Sequence, residues 1–252
     1  MGIYLAVSAI ILGLAFIFSM LGLGGAMLYI PVFKWFGFGF KTVAIPTGLF
    51  LNGITATSAA IYYIKNKMAD IKGAIPMVVT SFLGAPVGAY FTKFIPTSTL
   101  IIMFAIGMVV AGGRMLFSAN KAEPSEMMPY KKRAIITGTA SFFIGMIAGL
   151  LGIGGGFLFV PMMLAVGYPT KKAAATSAFI VIFSSFSGFF AHVAEGHFNL
   201  KLLVLTSIAV LIGSQIGARV MKEKMKAKWI KQGFGILLVL VAIKLTWKIL
   251  GG

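Results

Sequence analysis

Two glycine clusters carry the chemistry open to this chain. Leu21-Gly22-Leu23-Gly24-Gly25-Ala26-Met27-Leu28-Tyr29-Ile30-Pro31 returns as Leu151-Gly152-Ile153-Gly154-Gly155-Gly156-Phe157-Leu158-Phe159-Val160-Pro161, each residue displaced by 130 positions. Glycine in a helix interior costs about 1 kcal/mol relative to alanine, so a cluster of it within an apolar run marks a place where the backbone leaves the helix. A helix that restarts after such a break presents unpaired N–H groups and the positive end of its dipole. Together these bind an anion without side-chain charge. Gly22, Gly24 and Gly25 offer this arrangement in the first half, and Gly152, Gly154, Gly155 and Gly156 in the second. The same glycines would also suit a tight turn or close packing, and it is the duplication that favours binding. On this reading Gly25→Val or Gly155→Val abolishes function while expression survives.

The apolar run after each break adds hydroxyls. At about 100° per residue, Thr47, Thr55, Ser58 and Tyr62 fall within one arc, as do their equivalents Ser177, Ser185, Gly188 and His192. A polar stripe on an apolar helix should face the protein interior, where hydroxyls and the side-chain amides of Asn52 and Gln215 can donate to an oxyanion or hold helices together. His192 titrates near neutral pH and is the candidate for coupling to protons, or else an ordinary polar contact. Lys41 and Lys171, matched ahead of the two stripes, either draw an anion inward or mark a boundary.

The elements that must position these groups are membrane-spanning helices. The chain is 59% hydrophobic and 11% charged, with a mean hydropathy of +1.00, which excludes a soluble domain with a polar surface. Continuous apolar runs of about 18 to 25 residues, long enough to cross a hydrocarbon layer of roughly 30 Å, recur from end to end. Barrel strands would alternate instead, so the class is an all-α integral membrane protein. The net charge of +17 fits cytoplasmic loops meeting anionic lipid and calls for no nucleic acid. Without cysteine there is no disulfide, thiolate metal site or cysteine nucleophile. Of the five acidic residues, Asp70, Glu123, Glu126 and Glu223 lie in loops or the linker and Glu195 at a helix end. A carboxylate-caged cation, a bound metal and a buried Asp proton relay are therefore disfavoured, and no cofactor is expected. No basic residue precedes the run from Ile3 to Phe18, so a cleaved leader is not expected.

The polar stretch 119–133, with Pro124, Pro129 and a Lys131-Lys132-Arg133 cluster, reads as a linker between repeat 1 (1–118) and repeat 2 (134–252). Gly84-x-x-x-Gly88-Ala89 and Gly213-x-x-x-Gly217-Ala218 also match, and suit close helix packing within one chain or in a homodimer. Each half reads as a glycine-broken first helix followed by three spanning helices. Were each broken segment a single crossing, the repeats would be parallel and the 22 Lys and Arg evenly divided. Should each fold back, the repeats are inverted. The linker side then holds every Lys and Arg except Lys34, Lys41, Lys93, Lys201, Lys244 and Lys248. That bias favours re-entrant first segments, with both termini outside the cell.

The motif G-[LI]-G-G-[AG]-x4-P in both halves, each followed by Lys-x2-Ala, resembles the TauE/SafE family of membrane transporters over nearly the whole chain. The first copy departs only in having Ala26 where the second has Gly156. The resemblance implies movement of a sulfur-containing anion such as sulfite, thiosulfate or an organosulfonate across the prokaryotic cytoplasmic membrane. With two repeats, the expectation is a secondary transporter working by alternating access, and no G-x4-G-K-[ST] loop is present for direct coupling to ATP. An anion channel, or a transporter of another small organic anion, is the alternative. A membrane-embedded hydrolase using Ser184, Ser185 or Ser187 with His192 is a weaker one, for G-x-S-x-G is absent.

Overall fold

The computed structural model describes residues 2–120, 122–124, 126–193 and 198–250, and among them every regular element is a helix. The first half comprises α1 (Gly2–Leu21), the short α2 (Ala26–Trp35), a π-helical turn (Phe40–Ala44) continuing into α3 (Ile45–Lys65), α4 (Ile71–Thr92) and α5 (Thr97–Ser118). The second half comprises α6 (Tyr130–Leu151), α7 (Gly156–Ala165), α8 (Thr170–His192), α9 (Leu200–Glu223) and α10 (Ala227–Leu250). Glu195, expected at a helix end, lies outside the described residues, as do Lys121 and Ser125 of the linker.

Local chemistry fixes the helix ends. Asp70 caps α4 by accepting from the N–H of Gly73 at 3.0 Å, and Asn199 caps α9 by accepting from that of Leu202 at 3.1 Å. Pro129 precedes Tyr130 as the N-cap of α6, whose first turn therefore falls inside the stretch read as linker. Its Arg133 is buried there against Asp70. α1 and α6 both stop at a glycine turn, Gly22 and Gly152, with φ of 70° and 72° that only glycine adopts readily.

Among the described residues six helices are long and apolar enough to cross a membrane: α1, α3 with its π-helical turn, α4, α6, α8 and α9. Their outer faces carry exposed Ile75, Val79, Leu83, Ile208 and Ile212, the pattern of a lipid-facing surface. α3 and α8 are the most enclosed of the six, and they carry the buried hydroxyls.

The packing partners exchange between the halves. α1 lies against α9 and α6 against α4, while α3 pairs with α8 and α5 with α10. The α4–α6 crossing is backbone to backbone: a side chain on Gly84 or Gly88 would overlap the carbonyl of Phe142 or Met146. Gly213 and Gly217 meet the carbonyls of Leu12 and Phe16 on α1 in the equivalent way. Both small-residue faces are thus filled within the chain.

Each short helix packs against the one before it. Ile10 and Leu14 of α1 line one crevice with Leu28, Val32 and Trp35 of α2. Ile136 and Ile144 of α6 likewise share one with Leu158, Met162 and Ala165 of α7.

Polar groups tie the helix ends in two separate sets. In the first, Asp70 accepts from Tyr168 Oη at 2.9 Å and pairs with Arg133 at 3.4 Å, and its N–H donates to Thr176. Glu123 there joins Thr170 and Lys231, while Lys222 donates to Asn66. In the second, Lys41 donates to the carbonyls of Thr92 and Ile95, and Asn199 to Tyr4 Oη.

Candidate functional site at the paired glycine breaks

The two breaks meet in the interior around Asn52 of α3, which is fully buried. Its Oδ1 accepts from the N–H of Gly25 and, at 2.8 Å, from that of Ala26. Its Nδ2 donates to Ser185 Oγ of α8 at 2.6 Å. A Cβ on Gly24 would overlap the Asn52 side chain, one on Gly154 would overlap both Asn52 and Ser185, and one on Gly156 would overlap the carbonyl of Leu23. These glycines serve close approach: the breaks and the Asn52–Ser185 pair occupy one small volume.

The hydrogen bonding of the breaks is unequal. The amides of Gly25 and Ala26, expected to be open to an anion, are taken by Asn52, whose short side chain reaches them from the adjacent helix. In the second half, position 182 is isoleucine where the first has Asn52. The N–H groups of Gly155 and Gly156, both buried, have no protein acceptor among the described residues.

The stripe residues divide. Thr47, Thr55, Ser58, Ser177 and Ser185 are buried. Thr55 Oγ1 stands 3.1 Å from Tyr29 Oη and donates to the carbonyl of Leu51 at 2.8 Å. Ser177 Oγ is buried without a partner among the described residues. Ser58 and Gln215 sit apart from the breaks and fasten α3 to α9, Gln215 Nε2 donating to the carbonyl and Oγ of Ser58 at 2.7 and 2.9 Å. His192 Nε2 pairs with the carbonyl of Gly149 at 3.1 Å, linking α8 to α6. Lys41 meets the carbonyls of Thr92, the last residue of α4, and of Ile95 beyond it, and Lys171 meets the carbonyl of Lys222 near the end of α9.

The serine and histidine of the hydrolase alternative point to other partners. Ser184 donates to the carbonyl of Gly154, Ser187 to that of Phe82, and Ser185 meets Asn52. Sequence reasoning passed over Tyr29 and Ser184 as parts of the site. The visible signal for Tyr29 was its hydroxyl, which Phe159 lacks in the matching copy.

Residues 6–245 match the family model described as sulfite exporter TauE/SafE. The chain belongs to the TauE/SafE family. It is 31% identical to the probable membrane transporter protein YunE of Bacillus subtilis, covering 91% of this chain and 92% of that one. A probable membrane transporter protein of Methanocaldococcus jannaschii is 24% identical over 84% of each chain. No solved structure matches significantly. The TauE/SafE relatives are thus probable membrane transporters, and the protein is a multi-pass membrane protein of that kind.

Proposed function

We propose that this protein is a secondary transporter that carries a small sulfur-containing anion across the prokaryotic cytoplasmic membrane by alternating access. The observation that carries the reading is the enclosed meeting of the two glycine breaks, where buried amides lack a protein acceptor among the described residues and the Ser184 and Ser185 hydroxyls stand beside them. Buried donors of this kind cost about 1–3 kcal/mol each when unpaired, and an oxyanion supplies the acceptors they need. The family description as sulfite exporter supports sulfite, thiosulfate or an organosulfonate as cargo.

Two inverted repeats, 1–118 and 134–252, joined by the linker 119–133, are part of the proposal. In it α1–α2 and α6–α7 are re-entrant hairpins entering from opposite sides. The exchanged packing partners and the crevices that α1 shares with α2 and α6 with α7 support this. The linker end of the bundle, rich in Lys and Arg, faces the cytoplasm, and both termini lie outside. Rocking of the hairpins against α3 and α8 would expose the breaks to each side in turn.

Purified protein in liposomes, loaded with sulfite, thiosulfate or methanesulfonate, tests the reading by counterflow. Saturable exchange of a sulfur oxyanion is expected. Failure of every anion to exchange would return the glycine breaks to a packing role.

A further inference from the structure

We infer that the cargo is bound by the second glycine break alone, with Ser185 as its side-chain donor and Asn52 as the residue that aims Ser185. This deepens the carrier reading and rests on it.

The inference starts from three positions at which the matched halves differ. Tyr29, Asn52 and Thr55 of the first half correspond to Phe159, Ile182 and Ser185 of the second. In the first half the polar groups satisfy one another: Asn52 caps the amides of Gly25 and Ala26, and Tyr29 meets Thr55. Phe159 and Ile182 offer no polar group, and the amides of Gly155 and Gly156 are left without a protein acceptor among the described residues. The donors are buried at the start of α7, where the helix dipole adds positive potential.

Ser185 supplies the independent second feature. It is fully buried, and the space a Cβ would need on Gly154 is taken by its Oγ, which places the hydroxyl at the edge of the second break. The two amides that Asn52 Oδ1 accepts fix the orientation of that side chain, so it is Nδ2 that faces Ser185. Ser185 Oγ therefore accepts, and its own hydrogen has no acceptor among the described residues. In this inference that hydrogen is the one offered to the cargo.

All of these donors are neutral. The buried Lys and Arg among the described residues, Arg133 and Lys231, sit in the polar set near the linker, paired with Asp70 and Glu123. Neutral amides and hydroxyls compensate the desolvation of one negative charge spread over three oxygens far better than that of a dianion. The class of cargo is therefore a sulfonate-type monoanion, preferred over sulfate.

Counterflow of methanesulfonate and sulfate by the full chain in liposomes tests this. Ser185→Ala should raise the KM for methanesulfonate about tenfold, the loss of one hydrogen bond to a charged group, while the maximal rate stays close to wild type. Ser187→Ala, which removes a hydroxyl that serves packing against α4, should leave KM unchanged. Asn52→Leu removes the amide that faces Ser185 without adding a charge. Its KM should rise, and the double variant with Ser185→Ala should be no weaker than Asn52→Leu alone. An unchanged KM in Ser185→Ala, additive losses in the double variant, or sulfate exchanged as well as methanesulfonate would each overturn the inference while wild-type exchange upholds the carrier. Wild-type protein that exchanges no sulfur oxyanion brings down the carrier reading itself, and this inference with it.

Discussion

Asn52 and Ser185 meet across the centre of the protein, Nδ2 to Oγ at 2.6 Å, although 133 residues separate them. The same Asn52 caps the restart of α2, so one side chain joins the first break to α3 and to the second half. Asn52→Leu should leave two buried amides unpaired and cost roughly 2–5 kcal/mol. Thermal unfolding of the purified variant checks this. Equal melting temperatures for Asn52→Leu and wild type would show that the cap contributes nothing.

The outline of the fold was legible because each signal was local. Apolar runs gave the helices, and the glycine clusters gave the breaks after α1 and α6. Asn52 was legible as a lone amide on an apolar helix, but its role was not. Nothing in the spacing says that it turns its acceptor toward Gly25 and Ala26 and so occupies the amides expected to be open. The stripe had the same weakness: helical phase places Ser58 and Thr55 on one arc, yet the neighbour each meets, Gln215 or Tyr29, depends on tertiary packing. His192 likewise finds the Gly149 carbonyl, a partner no periodicity can name.

The α4–α6 crossing depends on glycine. A Cβ on Gly88 would overlap the Met146 carbonyl, which belongs to backbone and cannot swing aside, and Gly149 meets Ala85 in the same manner. Gly88→Leu or Gly149→Leu should prevent assembly, read as loss of the monodisperse peak in size-exclusion chromatography. Gly113→Ala, in open space on α5, should be tolerated within about 1 kcal/mol. A monodisperse, stable Gly88→Leu protein would show that the helices can separate at no cost.

Glu123 gives the linker a dependence on pH. Partial burial pushes its carboxyl up, but the hydrogen bonds from Thr170 and the bond and charge of Lys231 outweigh this and hold it below its ordinary value of 4.5. A carboxyl with a lowered folded-state pKa stabilises the fold above its unfolded value and loses that contribution as pH falls below it. The melting temperature should therefore drop on acidification through and below about 4.5. Glu123→Gln should be less stable than wild type at neutral pH and converge with it in acid. Parallel pH profiles for the two proteins would remove Glu123 from the account.

The proposed topology makes a prediction that the family description does not. If α2 and α7 return toward the ends from which α1 and α6 entered, both termini share one side of the membrane and the linker lies on the other. Single-crossing segments would instead place eight spans in two parallel repeats. Introduced cysteines at Gly2, Ala122 and Lys248 in this cysteine-free chain, probed with a membrane-impermeant maleimide in intact cells, distinguish the two. Labelling of Gly2→Cys and Lys248→Cys, with Ala122→Cys labelled only after permeabilisation, is expected from the cationic bias toward the linker. Eight spans would put the linker on the same side as both termini, so all three positions would label alike, and the inverted repeats would have to be abandoned.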